Sequence, residues 1–196
     1  MANNLKASIE KVLDDWALDK AFAIVTDNGS NIVAAANICD RLLNSVRCFG
    51  HTSQLIVNRA LSSVAAVADT LKLVCDVSRY FRRSGPSWQI LKDIQRSDIQ
   101  RKIERDSKLP KQERDKTLTR LKHLRPVIDC PTRWNSTIHM AVRMLQIRRH
   151  VCAAAQDDDI RKDLKKPKIV LPTEEQWSLL QCVVDILQPF CDAITQ

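Results

Sequence analysis

The sequence predicts a mostly α fold with a small α/β part at its beginning. Three observations carry this reading. Only 3 of 196 residues are glycine, which disfavours a turn-rich all-β fold. Apolar residues step by three and four over two long windows, the spacing of a buried helix face. The first 50 residues alternate helix and strand signals, the order expected of α/β packing.

Leu5, Ile9, Val12 or Leu13, and Trp16 recur at helical spacing, so residues 4–18 read as an amphipathic helix. "AFAIVT" (21–26) reads as a short buried strand, apolar on both faces. Residues 30–43 read as a helix with Asn28 or Ser30 available as its cap. "SVRCF" (45–49) reads as a second short strand. Val57, Leu61, Val64, Ala68, Leu71 and Cys75 then predict one long helix reaching Phe81 and ending at "SGPS" (84–87). Residues 88–125 are charged, and "KLPKQERDK" (108–116) reads as a solvated connection. Pro126 and Pro131 bracket an extended piece before a helix over 133–155, and residues 156–168 read as a polar loop. Trp177, Leu180, Val184, Leu187, Cys191 and Ile194 predict a last helix that Pro189 should kink or shorten. Trp16, Trp88 and Trp177 fall at core positions of their helices.

The formal charge is +8, and it is not evenly spread. Residues 101–150 hold 14 Lys and Arg against 5 Asp and Glu, leaving the remainder near neutral. A basic middle segment points to a polyanionic partner. The seven cysteines form no CxxC pair, and the first residues form a polar amphipathic pattern rather than a secretory leader. Reduced thiols and an intracellular compartment are therefore expected. No segment reaches the roughly 18 continuous apolar residues of a membrane span.

Three groups of residues could carry chemistry. Asp27 stands where the first strand ends, the edge at which α/β sheets set their active sites; on the residues alone it reads more readily as a turn or capping residue than as a ligand. Cys48 and His51 close the second strand in a C-x-x-H spacing, too few donors for the four ligands zinc takes. In "DCPTRWNST" (129–137), Arg133 could contact phosphate and Trp134 could stack on an unpaired base; the indole reads also as a core residue with Arg133 at its rim. Phosphate-loop, dinucleotide, nucleophile-elbow and HExxH motifs are absent.

Four blocks, taken together, resemble the hAT-superfamily DNA transposases and the BED-type zinc-finger proteins derived from them. They are "DDWALDKAFAIVTDNGSN", "VRCFGHTSQLIVNRAL", "DCPTRWNSTIHMAVRML" and "LPTEEQWSLLQCVVDILQPFCDAIT". The resemblance implies an incomplete ribonuclease-H-like domain over residues 1–82 and an all-helical insertion over 83–196. It makes Asp27 one of three metal-binding acidic residues and implies Mg²⁺ or Mn²⁺ as the family's cofactor. Cys48 and His51 match the family's motif near the active site, and Trp134, with Arg133 before it, matches a DNA-binding position of the insertion. Asp14, Asp15, Asp19, Glu174 and Glu175 do not match the other two acidic positions.

The expectation is a nuclear, transposase-derived chain without catalysis of its own, binding DNA through residues 101–150. Two alternatives stand beside it. One is an active metal-dependent transposase or nuclease whose other acids come from elsewhere. The other is a helical protein-interaction module using the faces at 57–75 and 177–194. Protein partners are compatible with any of these; a membrane is not expected.

Overall fold

A computed structural model describes residues 1–105, 123–130, 134–164 and 170–195. The expected connection at 108–116, Pro131 and Arg133 lie outside the described residues. Most described residues are helical, with one two-stranded parallel sheet, and the chain divides within its third helix into two compact units, Met1–Ala60 and Leu61–Gln196.

The first unit contains α1 (Ala2–Asp15), β1 (Ile24–Thr26), α2 (Ser30–Asn37), β2 (Ser45–Arg47) and most of α3 (Phe49–Ser63). Helix α1 ends in a tight reversal: Leu18 N–H donates to Leu13 O at 2.8 Å and Ala17 N–H to Asp14 O at 2.9 Å. Both bonds satisfy carbonyls left over at a helix end, and they require Ala17 at φ 53°, the left-handed region glycine usually fills there. Arg41 fastens this reversal to the strand region. Its guanidinium donates to Asp14 Oδ1 at 2.6 Å and its Nε to Asp19 O at 2.8 Å. The strands pair in register Ile24 with Ser45, Val25 with Val46 and Thr26 with Arg47, and α2 supplies the crossover that parallel strands need.

The first strand is shorter and more open than its apolar run suggested. Ile24 lines a groove of about 390 Å³ with Leu5, Ile9 and Leu13 of α1 and Ile32 of α2. Strand side chains alternate, so Val25 takes the other face, where it is 65% exposed; Phe22 is 79% exposed. Helix α2 also stops at Asn37 rather than reaching residue 43, and its cap position is Gly29 rather than Asn28 or Ser30. Trp16, expected in the core, is exposed.

The second unit contains α4 (Ala65–Arg83), α5 (Gly85–Arg105), α6 (Trp134–Ala154), α7 (Asp158–Leu164) and α8 (Glu174–Thr195). The single helix expected up to Phe81 is in fact two. Ser62, Ser63 and β-branched Val64 are weak helix formers, and Val64 is extended. The break resets the phase: Val64 is exposed, and α4 buries Val67, Val74, Val77 and Phe81 instead. Ser84 then caps α5, accepting the Ser87 amide at 3.2 Å, with Pro86 in the first turn where its missing N–H costs nothing.

The core joins Val74, Val77 and Phe81 of α4, Leu91 of α5, and Met140, Met144, Ile147 and Val151 of α6 to Trp177, Leu180 and Val184 of α8. The stripe read along the last helix is therefore core from Trp177 through Cys191, as simple packing requires. A reciprocal capping box starts α8: Thr173 N–H donates to Gln176 Oε1 at 3.0 Å and Gln176 N–H to Thr173 Oγ1 at 3.3 Å. The helix continues past Pro189 to Thr195 and is not shortened by it. The polar loop expected at 156–168 contains α7, in which Ile160 is buried. Asp158 and Asp159 sit in its first turn and Arg161 and Lys162 in its last, each opposite in sign to the helix end it occupies.

Candidate functional site

Parallel pairing brings the ends of β1 and β2 side by side, so Asp27 and Cys48, which follow them, emerge at one edge of the sheet. The Cys48 amide continues the ladder, donating to Thr26 O at 2.6 Å. Helix α3 begins at once, with Cys48 O accepting both the Thr52 amide and its hydroxyl at 3.0 Å. Asn28 Nδ2 donates to Thr52 Oγ1 at 3.2 Å and ties the two strand exits together. Asp27, Asn28, Cys48 and Thr52 thus lie at one edge of the sheet, and His51 stands in the first turn of α3. The Asn28–Thr52 bridge is a feature the sequence pattern did not single out. Thr26 Oγ1 and Asn28 Oδ1, beside it, are buried without a hydrogen-bond partner among the described residues.

Asp27 itself is exposed, and its Oδ1 accepts the Gly29 amide at 2.9 Å. This is a local turn preceding α2. A two-cation site needs several carboxylates from different elements, holding metals about 3.5–4 Å apart. Among the described residues, no three His, Cys, Asp or Glu side chains come together to hold an ion. One solvent-facing carboxylate with one oxygen already engaged does not fit such a pair.

The basic segment lies in the second unit. Several of its arginines have structural work. The extended piece 123–130 is held by Gln95, which is 3% exposed and bonds both sides of Leu124: Nε2 to the carbonyl at 2.9 Å, Oε1 to the amide at 2.8 Å. Arg82 donates to Pro126 O at 3.0 Å, Arg125 to Arg82 O at 3.1 Å, and Arg143 to Arg125 O at 2.9 Å. The Arg125 guanidinium also lies 5.3 Å from the Trp88 ring centre. Arg148 pairs with Glu174, lies 5.4 Å from the Trp177 ring centre, and holds the Glu174 carboxyl below its usual range.

Trp134 opens α6 and is 3% exposed, so its ring faces are covered. Just before it, Asp129 Oδ1 accepts the Ser136 hydroxyl at 2.8 Å and the Thr137 hydroxyl at 2.9 Å. These bonds join Asp129 to the first turn of α6. Arg96, Arg101, Lys102, Arg105 and Arg149 are the exposed cations of α5 and α6 that lie outside the structural set. Lys102 Nζ contacts Asp98 Oδ2 at 2.9 Å. Among the described residues, no helix is long and apolar enough to cross a membrane.

No family model matches the chain, and no solved structure matches it. It is similar to the human zinc finger BED domain-containing protein 4, with 25% identity over 191 residues. The alignment takes in 96% of this chain and 14% of that protein, so the chain spans a small part of the relative's length. The similarity supports a relation to hAT-derived, BED-type zinc-finger proteins at that broad level.

Proposed function

We propose that the chain is a portion of a hAT transposase-derived nuclear protein that binds DNA and does not cleave it. The α/β start would be part of a ribonuclease-H-like domain. The boundary at residue 82 is a proposal about ancestry, separate from the packing units that divide at Ala60 and Leu61. Asp27 would be a metal ligand by descent that now serves a turn. Cys48 and His51 would keep the helix α3 entry of the ancestral site.

The observation that carries DNA binding is the charge distribution. A surplus of cations lies in 101–150, and Arg101, Lys102, Arg105 and Arg149 remain at the surface once the structural arginines are set aside. Phosphate contacts of this kind position a protein without reading sequence. Arg133 belongs to the same basic stretch. Stacking by Trp134 would require the start of α6 to open, since the indole is covered.

Duplex binding measured by fluorescence anisotropy tests the reading. Affinity should fall linearly on a log–log plot against salt, with a slope near −0.9 per phosphate neutralised. A DNA-cleavage assay in Mg²⁺ and Mn²⁺ should give no product; cleavage abolished by Asp27→Asn would establish the active-enzyme alternative instead. The interaction-module reading loses its surface at 177–191, because that stripe is core.

A further inference from the structure

Between α5 and α6 lies a pocket of about 220 Å³ lined by Ile94, Asp98, Arg101, Arg149, His150 and Ala153. Its acid is already matched. Asp98 Oδ2 faces Lys102 Nζ at 2.9 Å and His150 Nε2 at 3.3 Å, and those two neighbours hold its carboxyl below the usual range. Arg101 is only loosely paired, with Nη2 at 3.9 Å from Asp98 Oδ1. Arg149, on α6, has no ion-pair partner among the described residues. His150 Nδ1 is buried and has no partner either. Counting Arg101, Lys102 and Arg149 against Asp98, the pocket is positive even with a neutral imidazole.

We infer that this pocket is a phosphate-binding site, with the Arg101 and Arg149 guanidiniums as the two anion-binding arms and the His150 ring beside them in its lining. Guanidiniums present planar pairs of N–H donors matched to phosphate oxygens, and donors from two helices can close on one tetrahedral anion. Asp98 acts as a positioning residue: it orients the imidazole through Nε2, leaving Nδ1 directed away from it. The inference rests on the proposed DNA-binding function for the source of the phosphate, a backbone phosphodiester.

The surroundings give the strand a direction. A wider cleft of about 490 Å³ continues from the pocket through Ile94, Arg101 and Ala153 and is lined by Asp93, Ser97 and Asp157. Those two carboxylates repel a polyanion. The nucleic acid therefore approaches from the Arg149 side and not along the Asp93–Asp157 side.

The test compares the whole chain with Arg101→Ala/Arg149→Ala. Both residues are exposed, so the melting temperature should hold. The probes are a fluorescein-labelled duplex and inorganic phosphate, the latter followed by the NMR signal of the His150 ring. The expected result is duplex affinity down about tenfold at low salt and a log–log salt slope shallower by about 1.8, two phosphates' worth. Phosphate should shift the His150 signal in the wild type and not in the variant. Duplex binding with equal affinity and slope in both proteins overturns the pocket while leaving DNA binding elsewhere standing. A wild type that binds no duplex overturns the DNA reading; a retained, arginine-dependent His150 shift then assigns the pocket to a free phosphoryl compound, and no shift overturns it altogether.

Discussion

Gly29 N–H donates to Asp27 Oδ1 at 2.9 Å, and a Cβ added at Gly29 would lie 2.9 Å from the same oxygen. The turn at the end of β1 is therefore a matched pair. Gly29→Ala must push the carboxylate aside and lose the bond, at a cost of about 1 kcal/mol. Asp27→Ala should cost a similar amount, and Asp27→Asn less, since its amide oxygen still accepts. The double variant should cost clearly less than the sum, because one interaction is lost twice. Urea unfolding of the four proteins checks this; strict additivity would mean that the two residues do not share the bond.

The same turn bears on metal binding. A ligand that binds only the folded state raises the melting temperature by mass action. With Asp27 alone at the sheet edge, millimolar Mn²⁺ should leave the melting temperature of the wild type and of Asp27→Asn equal. A shift present in the wild type and lost in the variant would reveal a functional cation site.

Ala17 predicts a gain rather than a loss. Its φ of 53° is strained for any residue with a Cβ. Ala17→Gly should stabilise the first unit by about 0.5–1 kcal/mol, the reverse of the usual helix penalty for glycine. Thermal denaturation followed by circular dichroism reads the sign directly.

Much of the helical pattern was legible because period and burial agree. Trp177 to Cys191 form a stripe that the core uses unchanged. The break at Val64 was not legible, since the spacing from Val57 to Cys75 runs through it without interruption. Helix α7 was hidden for another reason: it is only seven residues long, too short to set a period, although Ile160 is buried. At the sheet edge, the positions of Asp27 and Cys48 just beyond the two strands were legible from the apolar runs before them. The Asn28–Thr52 bridge and the Gln95 clamp were not, because hydrogen bonds between distant polar residues leave no periodic trace.

Gln95 is the clearest stability test in the second unit. Gln95→Ala leaves the amide and carbonyl of Leu124 without their partners, costing about 2 kcal/mol. Amide hydrogen exchange at Leu124 should accelerate well beyond the global change. Equal acceleration across the unit would show the bonds to be incidental.

Among the described residues, two carboxylates are held low by their neighbours. Arg148 holds Glu174 low, and Lys102 with His150 holds Asp98 low. Groups with depressed folded values stabilise above their unfolded values and lose that contribution as pH falls through the folded ones. The melting temperature should therefore drop as pH falls below the ordinary carboxylate range. Glu174→Gln and Asp98→Asn should each show a shallower drop. Curves parallel to the wild type would mean that neither pair contributes.

Exposure also orders the thiols. Burial pushes the Cys75 and Cys152 thiols up, keeping them protonated, while Cys130 and Cys182 are exposed. Iodoacetamide with peptide mass spectrometry should label Cys130 and Cys182 first and Cys39, Cys75 and Cys191 only on unfolding. Early labelling of Cys75 would contradict the packing of α4.

The proposed DNA binding runs through phosphate contacts of the basic segment. The most direct measurement is the duplex association constant across a salt series from about 50 to 200 mM, the range over which several phosphate contacts cost orders of magnitude. The expected result is binding at the low end, a straight log–log decline of several units in slope, and little difference between duplex sequences. Absent binding at low salt, or affinity independent of salt, would contradict it.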